Sequence, residues 1–172
     1  MLNIIRYEEL TWPEVVDLPR DIAFILQLGD GYGLSDIGQV IDASTLCVLP
    51  NLPYGWEGSV APVSTVMLKR VINAIFDGLR EQGFTNFTIV YAGDAILAEN
   101  DVKQITKERS TIHDPKPLAA TQQRVILIPC GHTEQHGYHL PLNTDTVIIG
   151  AIANGTTEEI PEQAETLPTL PY

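Results

Sequence analysis

Three of the chain's four histidines, a glutamate and an aspartate fall inside one short stretch, Arg124 to Asp145, which reads RVILIPCGHTEQHGYHLPLNTD. Glu134 and His136 are two residues apart, so in an extended segment both side chains point the same way, as a shared metal centre requires. With Asp145 they make a carboxylate, imidazole and carboxylate set. Such a set suits Zn²⁺ or Mn²⁺ better than Cu(I) or an iron–sulfur cluster. Plainer readings stand beside this one. Asp145 precedes a run, Thr146 to Asn154, that reads as a helix, so it also fits an N-cap, and the histidines also fit polar loop residues satisfied by backbone groups. Glu-x-His by itself is a common accident.

The elements that must position these residues follow from the flanking sequence. Val125 to Ile128 is an unbroken apolar run, which predicts a parallel strand buried on both faces, ended by Pro129 and Gly131. In open α/β sheets chemistry collects beyond the carboxyl ends of strands, where His132, Glu134, His136, His139 and Asp145 would then lie. Cys130 at the end of that strand fits a small buried residue better than a nucleophile.

The string Gly131-His-Thr-Glu134-Gln-His136-Gly137-Tyr-His139-Leu-Pro141-Leu-Asn-Thr-Asp145 resembles the signature of the creatininase family of metal-dependent amidohydrolases, approximately G-x-x-E-Q-H-G-x-H-L-P-x-x-T-D. Leu167-Pro-Thr-Leu-Pro-Tyr172 is similar to that family's L-P-x-L-P-Y-G segment. The resemblance implies a three-layer α/β/α fold with a mostly parallel sheet, a hexameric or other homo-oligomeric assembly, and a dinuclear Zn²⁺ or Mn²⁺ site. It also implies hydrolysis of a C–N bond in a small, often cyclic, amide. By that likeness Glu134 and His136 would each hold one metal and Asp145 would bridge the two, while no ligand role carries over for His139. The family's remaining ligands come from a later strand end reading N-G-H, and no such string stands in this sequence. The rest of the site is therefore expected from further sequence or a neighbouring subunit.

Composition narrows the alternatives. Ten Lys and Arg against 22 Asp and Glu give a formal net charge of −12 over 172 residues, which repels phosphate backbones and anionic lipid heads. Nucleic-acid and membrane-surface partners are not expected. The apolar fraction of 44% supports a core, and no run reaches the roughly 18 to 20 residues of a membrane helix. Two cysteines make no disulfide framework and no secretory signal is visible, so a cytoplasmic location is expected.

Along the chain, Thr11-Trp-Pro-Glu14 predicts a capping box opening a short helix that ends near Leu18. Strands are expected at Ile22 to Leu28, Thr45 to Leu49 and Phe84 to Tyr91. A helix from about Ser64 to Gln82, stopped by Gly83, would face the core with Leu68, Val71, Ile72, Ile75, Phe76 and Leu79. Gly29-Asp-Gly-Tyr-Gly33 lacks the spacing and lysine of a phosphate-binding turn. Asn154-Gly155 fits a helix end. Residues 99–121, which include His113 and Asp114, read as a polar linker.

An internal comparison organises this layout. Cys47-Val-Leu-Pro-Asn-Leu-Pro-Tyr54 nearly repeats Glu165-Thr-Leu-Pro-Thr-Leu-Pro-Tyr172. The chain therefore reads as a tandem repeat: a degenerate creatininase-like unit over residues 1–98, the linker, and over residues 122–172 the front part of a second unit carrying the metal motif. In the first copy Tyr32 and Leu34 stand where Glu134 and His136 stand in the second, and Asp94 offers at most a lone carboxylate. Residues 122–172 alone can bury little surface and must lean on residues 11–94, which predicts either that the Val125 strand joins the sheet begun by Ile22 and Phe84 or that the second unit is partly disordered. Two functions are weighed: an amidohydrolase, or a catalytically silent relative acting as a structural or oligomer-forming module.

Overall fold

A computed structural model describes residues 2–29, 43–91, 102–104 and 124–172. The Gly29 to Gly33 loop beyond its first residue, Tyr32, Leu34, Asp94, His113 and Asp114 lie outside the described residues.

Five parallel strands form the main sheet in the order β1, β3, β2, β4, β5, where β1 is Asn3–Arg6, β2 Ala23–Leu28, β3 Thr45–Val48, β4 Asn86–Tyr91 and β5 Val102–Gln104. Central β2 is buried along its whole length, and its unbroken AFILQL run is what a strand flanked on both sides requires. Alternate residues serve opposite faces. Phe24, Leu26 and Leu28 join one cluster with Val15 and Leu18 of the first helical stretch and with Leu68, Ile72, Phe76 and Leu79. Ala23 and Ile25 face the other side with Leu46, Val48 and Val90. The chain is thus an α/β protein with a parallel sheet, as the creatininase-like arrangement implies.

The two helices expected before residue 99 both form. In α1, Trp12–Asp17, the Glu14 carboxylate accepts from the Thr11 N–H and hydroxyl, each at 2.7 Å. Ser64 caps α2, Thr65–Glu81, by accepting from the Met67 N–H at 3.3 Å. Gly83 follows its end with a φ of 91°. The predicted stripe is buried except that Val71 stays exposed and Ile75 packs at the margin. Neither β1 nor the 3-10 turn Tyr7–Glu9 was legible beforehand, because each is too short for a period to show.

The second half departs from expectation in several places. The Val125 strand, β6 (Val125–Leu127), does not join the main sheet. Among the described residues it pairs, in parallel, only with β7 (Ala164–Thr166), across the intervening helix α3 (Thr144–Glu159), because a β-α-β unit brings its own two strands together. Nor is it buried on both faces, since Val125 and Ile128 are 59% and 50% exposed. Cys130 is exposed, not buried. Helix α3 runs through Asn154-Gly155 without stopping, and the Thr156 and Thr157 hydroxyls donate to the carbonyls of Ile152 and Ala153. Within the expected linker, β5 extends the main sheet beside β4.

Residues 124–172 are joined to the main sheet and its helices through packing and loop bonds. Leu142, 2% exposed, plugs into the main core, a burial that contributes about 1.5–3 kcal/mol. Beside it the N–H groups of Leu142 and Asn143 donate to the carbonyls of Leu10 and Glu8 at 2.9 and 3.0 Å.

Candidate metal centre

The loop between β6 and α3 is fixed at its start by two bonds to the segment after β7. Gly131 donates its N–H to the Leu170 carbonyl at 2.9 Å, and the Thr133 hydroxyl donates to the Pro171 carbonyl at 2.7 Å. At Gly131 the first turn of α3 crosses so closely that a Cβ would lie 2.5 Å from Thr146 Cα and N. The sequence presents this glycine as a strand terminator, but its larger duty is to let the helix bearing Asp145 approach the loop bearing Glu134. Gly137, at φ 74°, turns the chain between His136 and His139 in a conformation that side chains rarely adopt. Asn143, not Asp145, occupies the cap position of α3, so Asp145 sits inside the first turn. There the positive end of the helix favours its negative charge.

Glu134, His136 and Asp145 come together: one ligand atom from each lies within 4.8 Å of the others. Around a tetrahedral ion with bonds of about 2.1 Å the donors stand about 3.4 Å apart. The spread is bracketed on the near side by His136 Nε2 and Asp145 Oδ1, 2.9 Å apart. The other ring nitrogen, Nδ1, lies 2.9 Å from the Glu134 carbonyl oxygen. A carbonyl only accepts, so Nδ1 carries a proton and donates. That fixes the ring and leaves Nε2 to face the carboxylates, the orientation that ligating histidines adopt through an outer partner.

The same contacts set the imidazole's protonation. The hydrogen bond to the Asp145 carboxylate raises the His136 pKa above its usual 6.5, against a smaller opposing effect of desolvation and with help from the Glu134 carbonyl. Without metal, folding therefore favours the doubly protonated form of His136 more than the unfolded chain does. The stabilisation this brings is complete below 6.5 and is lost as pH rises through the elevated value. A metal would demand the opposite, since Nε2 must shed its proton to ligate.

Of the remaining candidates, His132 Nδ1 lies 3.8 Å from a Glu134 carboxylate oxygen, with both side chains open to solvent. His139 and Cys130 fall outside the ligand group. The donor set, its spacing and the held imidazole fit a divalent metal ion. Among the described residues this is the one such group.

Comparison with known proteins agrees on where the recognisable part lies. Residues 108–172 match the creatininase family, described as creatinine amidohydrolase. Curated relatives include the mycofactocin precursor peptide peptidase of Mycolicibacterium smegmatis, 49% identical over 41 residues that make up 24% of this chain and 17% of that protein. The protein of the same name from Mycobacterium tuberculosis is 56% identical over 43 residues, 25% of this chain and 16% of its own. The matched stretch thus spans under a fifth of the length of these relatives. No solved structure matches the chain significantly. With the Gly131 to Asp145 motif folded as described and the family match covering it, residues 108–172 of this chain are similar to the creatininase family.

Proposed function

We propose that Glu134, His136 and Asp145 bind Zn²⁺ or Mn²⁺ and that the site they begin hydrolyses an amide C–N bond. The observation that carries this reading is the convergence of the three ligand atoms within 4.8 Å, with Nε2 of His136 turned inward by the bond from Nδ1 to the Glu134 carbonyl. When bound, a divalent ion would activate a water molecule and polarise the substrate carbonyl. This chain's residues supply the negative charge that draws the ion in, hold the imidazole in register, and leave Glu134 open towards solvent, where a substrate would enter.

The substrate class follows from the relatives. Their names describe a peptidase acting on a precursor peptide, which favours a peptide bond over the small cyclic amide that the family signature first suggests. Further ligands, on this reading, come from outside residues 124–172, from additional sequence or from a neighbouring subunit of a cytoplasmic homo-oligomer.

A second reading is favoured by one observation: the described residues of the first unit hold no comparable ligand group. That unit is then a structural module, and the chain as a whole a catalytically silent relative if the second unit fails to hold metal. Metal analysis of the purified protein beside Glu134→Gln and His136→Ala decides between them. Stoichiometric Zn or Mn in the wild type, lost from both variants, is expected. Equal and negligible metal in all three would refute the amidohydrolase reading.

A further inference from the structure

The strand pairs of the two halves share one register. In the first, Ala23, Phe24 and Ile25 pair with Leu46, Cys47 and Val48; in the second, Val125, Ile126 and Leu127 pair with Ala164, Glu165 and Thr166. The turns that follow repeat bond for bond. Leu49 donates to Ile25, Leu52 to Gln27, and Gly29 back to Leu52, at 2.8, 2.9 and 3.0 Å. Leu167 donates to Leu127, Leu170 to Pro129, and Gly131 back to Leu170, at 2.9, 2.8 and 2.9 Å. Isolated bridges join Leu28 to Leu52 and Cys130 to Leu170. Tyr54 and Tyr172 therefore hold the same place in their units, as do Pro50 and Pro168.

These four residues meet across the halves in a reciprocal pattern: the Tyr54 hydroxyl donates to the Pro168 carbonyl, and the Tyr172 hydroxyl donates to the Pro50 carbonyl. A contact in which residue i of one unit touches j of the other while j of the first touches i of the second is the mark of an isologous, two-fold interface. We infer that residues 2–91 act as a resident partner for the ligand-bearing unit, the two paired about a pseudo-two-fold axis through their Leu-Pro-x-Leu-Pro-Tyr turns. The surface that each turn presents is one that accepts a second turn of the same kind, and here the chain supplies it in cis.

The chemistry of the contact suits a lasting one. Burial pushes the Tyr54 hydroxyl up to about 12 and the Tyr172 hydroxyl well above its usual 10.0, so both remain protonated donors at any physiological pH. The consequence reaches the ligand loop. Tyr172 packs against the same core cluster that takes in Leu142, whose N–H and that of Asn143 are bonded to Leu10 and Glu8, and Asp145 lies two residues beyond Asn143. The first unit is retained, on this inference, because it holds the second unit's loop in place.

Amide hydrogen exchange on the full-length protein and its Tyr54→Phe and Tyr172→Phe variants tests this without reference to metal. If the turns form one two-fold contact, either substitution loosens the bonds that cross the halves. Exchange at the Leu142 and Asn143 amides should then rise by a similar factor in both variants, about threefold to tenfold for one lost hydrogen bond. The Leu49 and Leu167 amides, bonded within their own units, should stay within about twofold of wild type. Tyr54→Phe accelerating only first-unit amides and Tyr172→Phe only second-unit amides would overturn the inference, as would no change at Leu142 and Asn143 in either.

Discussion

Gly131→Ala should damage the candidate metal centre without touching a ligand. The added Cβ would lie 2.5 Å from Thr146 Cα and N and 2.8 Å from the Asp145 carbonyl carbon, whereas ordinary contact begins at 3.4 Å. Backbone cannot rotate aside as a side chain can, so the first turn of α3 must retreat by about 0.9 Å or the loop must shift by as much. A retreat of that size carries the Asp145 carboxylate away from His136 and widens a ligand group whose largest separation is already 4.8 Å, further from the spacing of about 3.4 Å that an ion needs. The expected result is about a 10- to 100-fold loss of metal affinity, the range seen when the support of a ligand is disturbed, with about 1–3 kcal/mol of stability. Gly155→Ala is the matched control, because within the same helix its Cβ would meet nothing within 4 Å. That variant should keep wild-type affinity and gain about 0.5–1 kcal/mol from helix propensity. Competition with a chromophoric chelator reads affinity, and thermal unfolding reads stability. A Gly131→Ala protein that binds metal as tightly as wild type would refute the argument that close approach at this glycine assembles the site.

Other expectations are simpler. Metal uptake at fixed, subsaturating metal should climb with pH through and above 6.5, because His136 must release the Nε2 proton that Asp145 helps it keep; a pH-independent titration would remove His136 as a ligand. Ser64→Ala should cost about 1 kcal/mol in chemical denaturation by leaving the Met67 N–H without its cap, and no measurable loss would mean that water replaces it fully.

How much of this was legible beforehand divides along a physical line. Sequence alone determined what is local: the candidate ligand loop from Gly131 to Asp145 and its likeness to the creatininase signature, the Thr11 capping box, most of the α2 stripe and strands β2, β3 and β4, since each is written in spacing or in backbone chemistry within a few residues. Tertiary structure decided what depends on neighbours far along the chain. The Val125 run looks like a doubly covered strand, yet burial is set by what packs on it, and β6 received only β7. Asp145 looks like a cap, but Asn143 took that place when bonds to Glu8 and Leu10 fixed where α3 begins. Helix α3 ran on past Asn154-Gly155 to Glu159, an Asn-Gly pair being only a weak local stop signal. The crossing at Gly131 and the exchange between Tyr54 and Tyr172 join residues many positions apart, and no local pattern encodes which distant surfaces will meet.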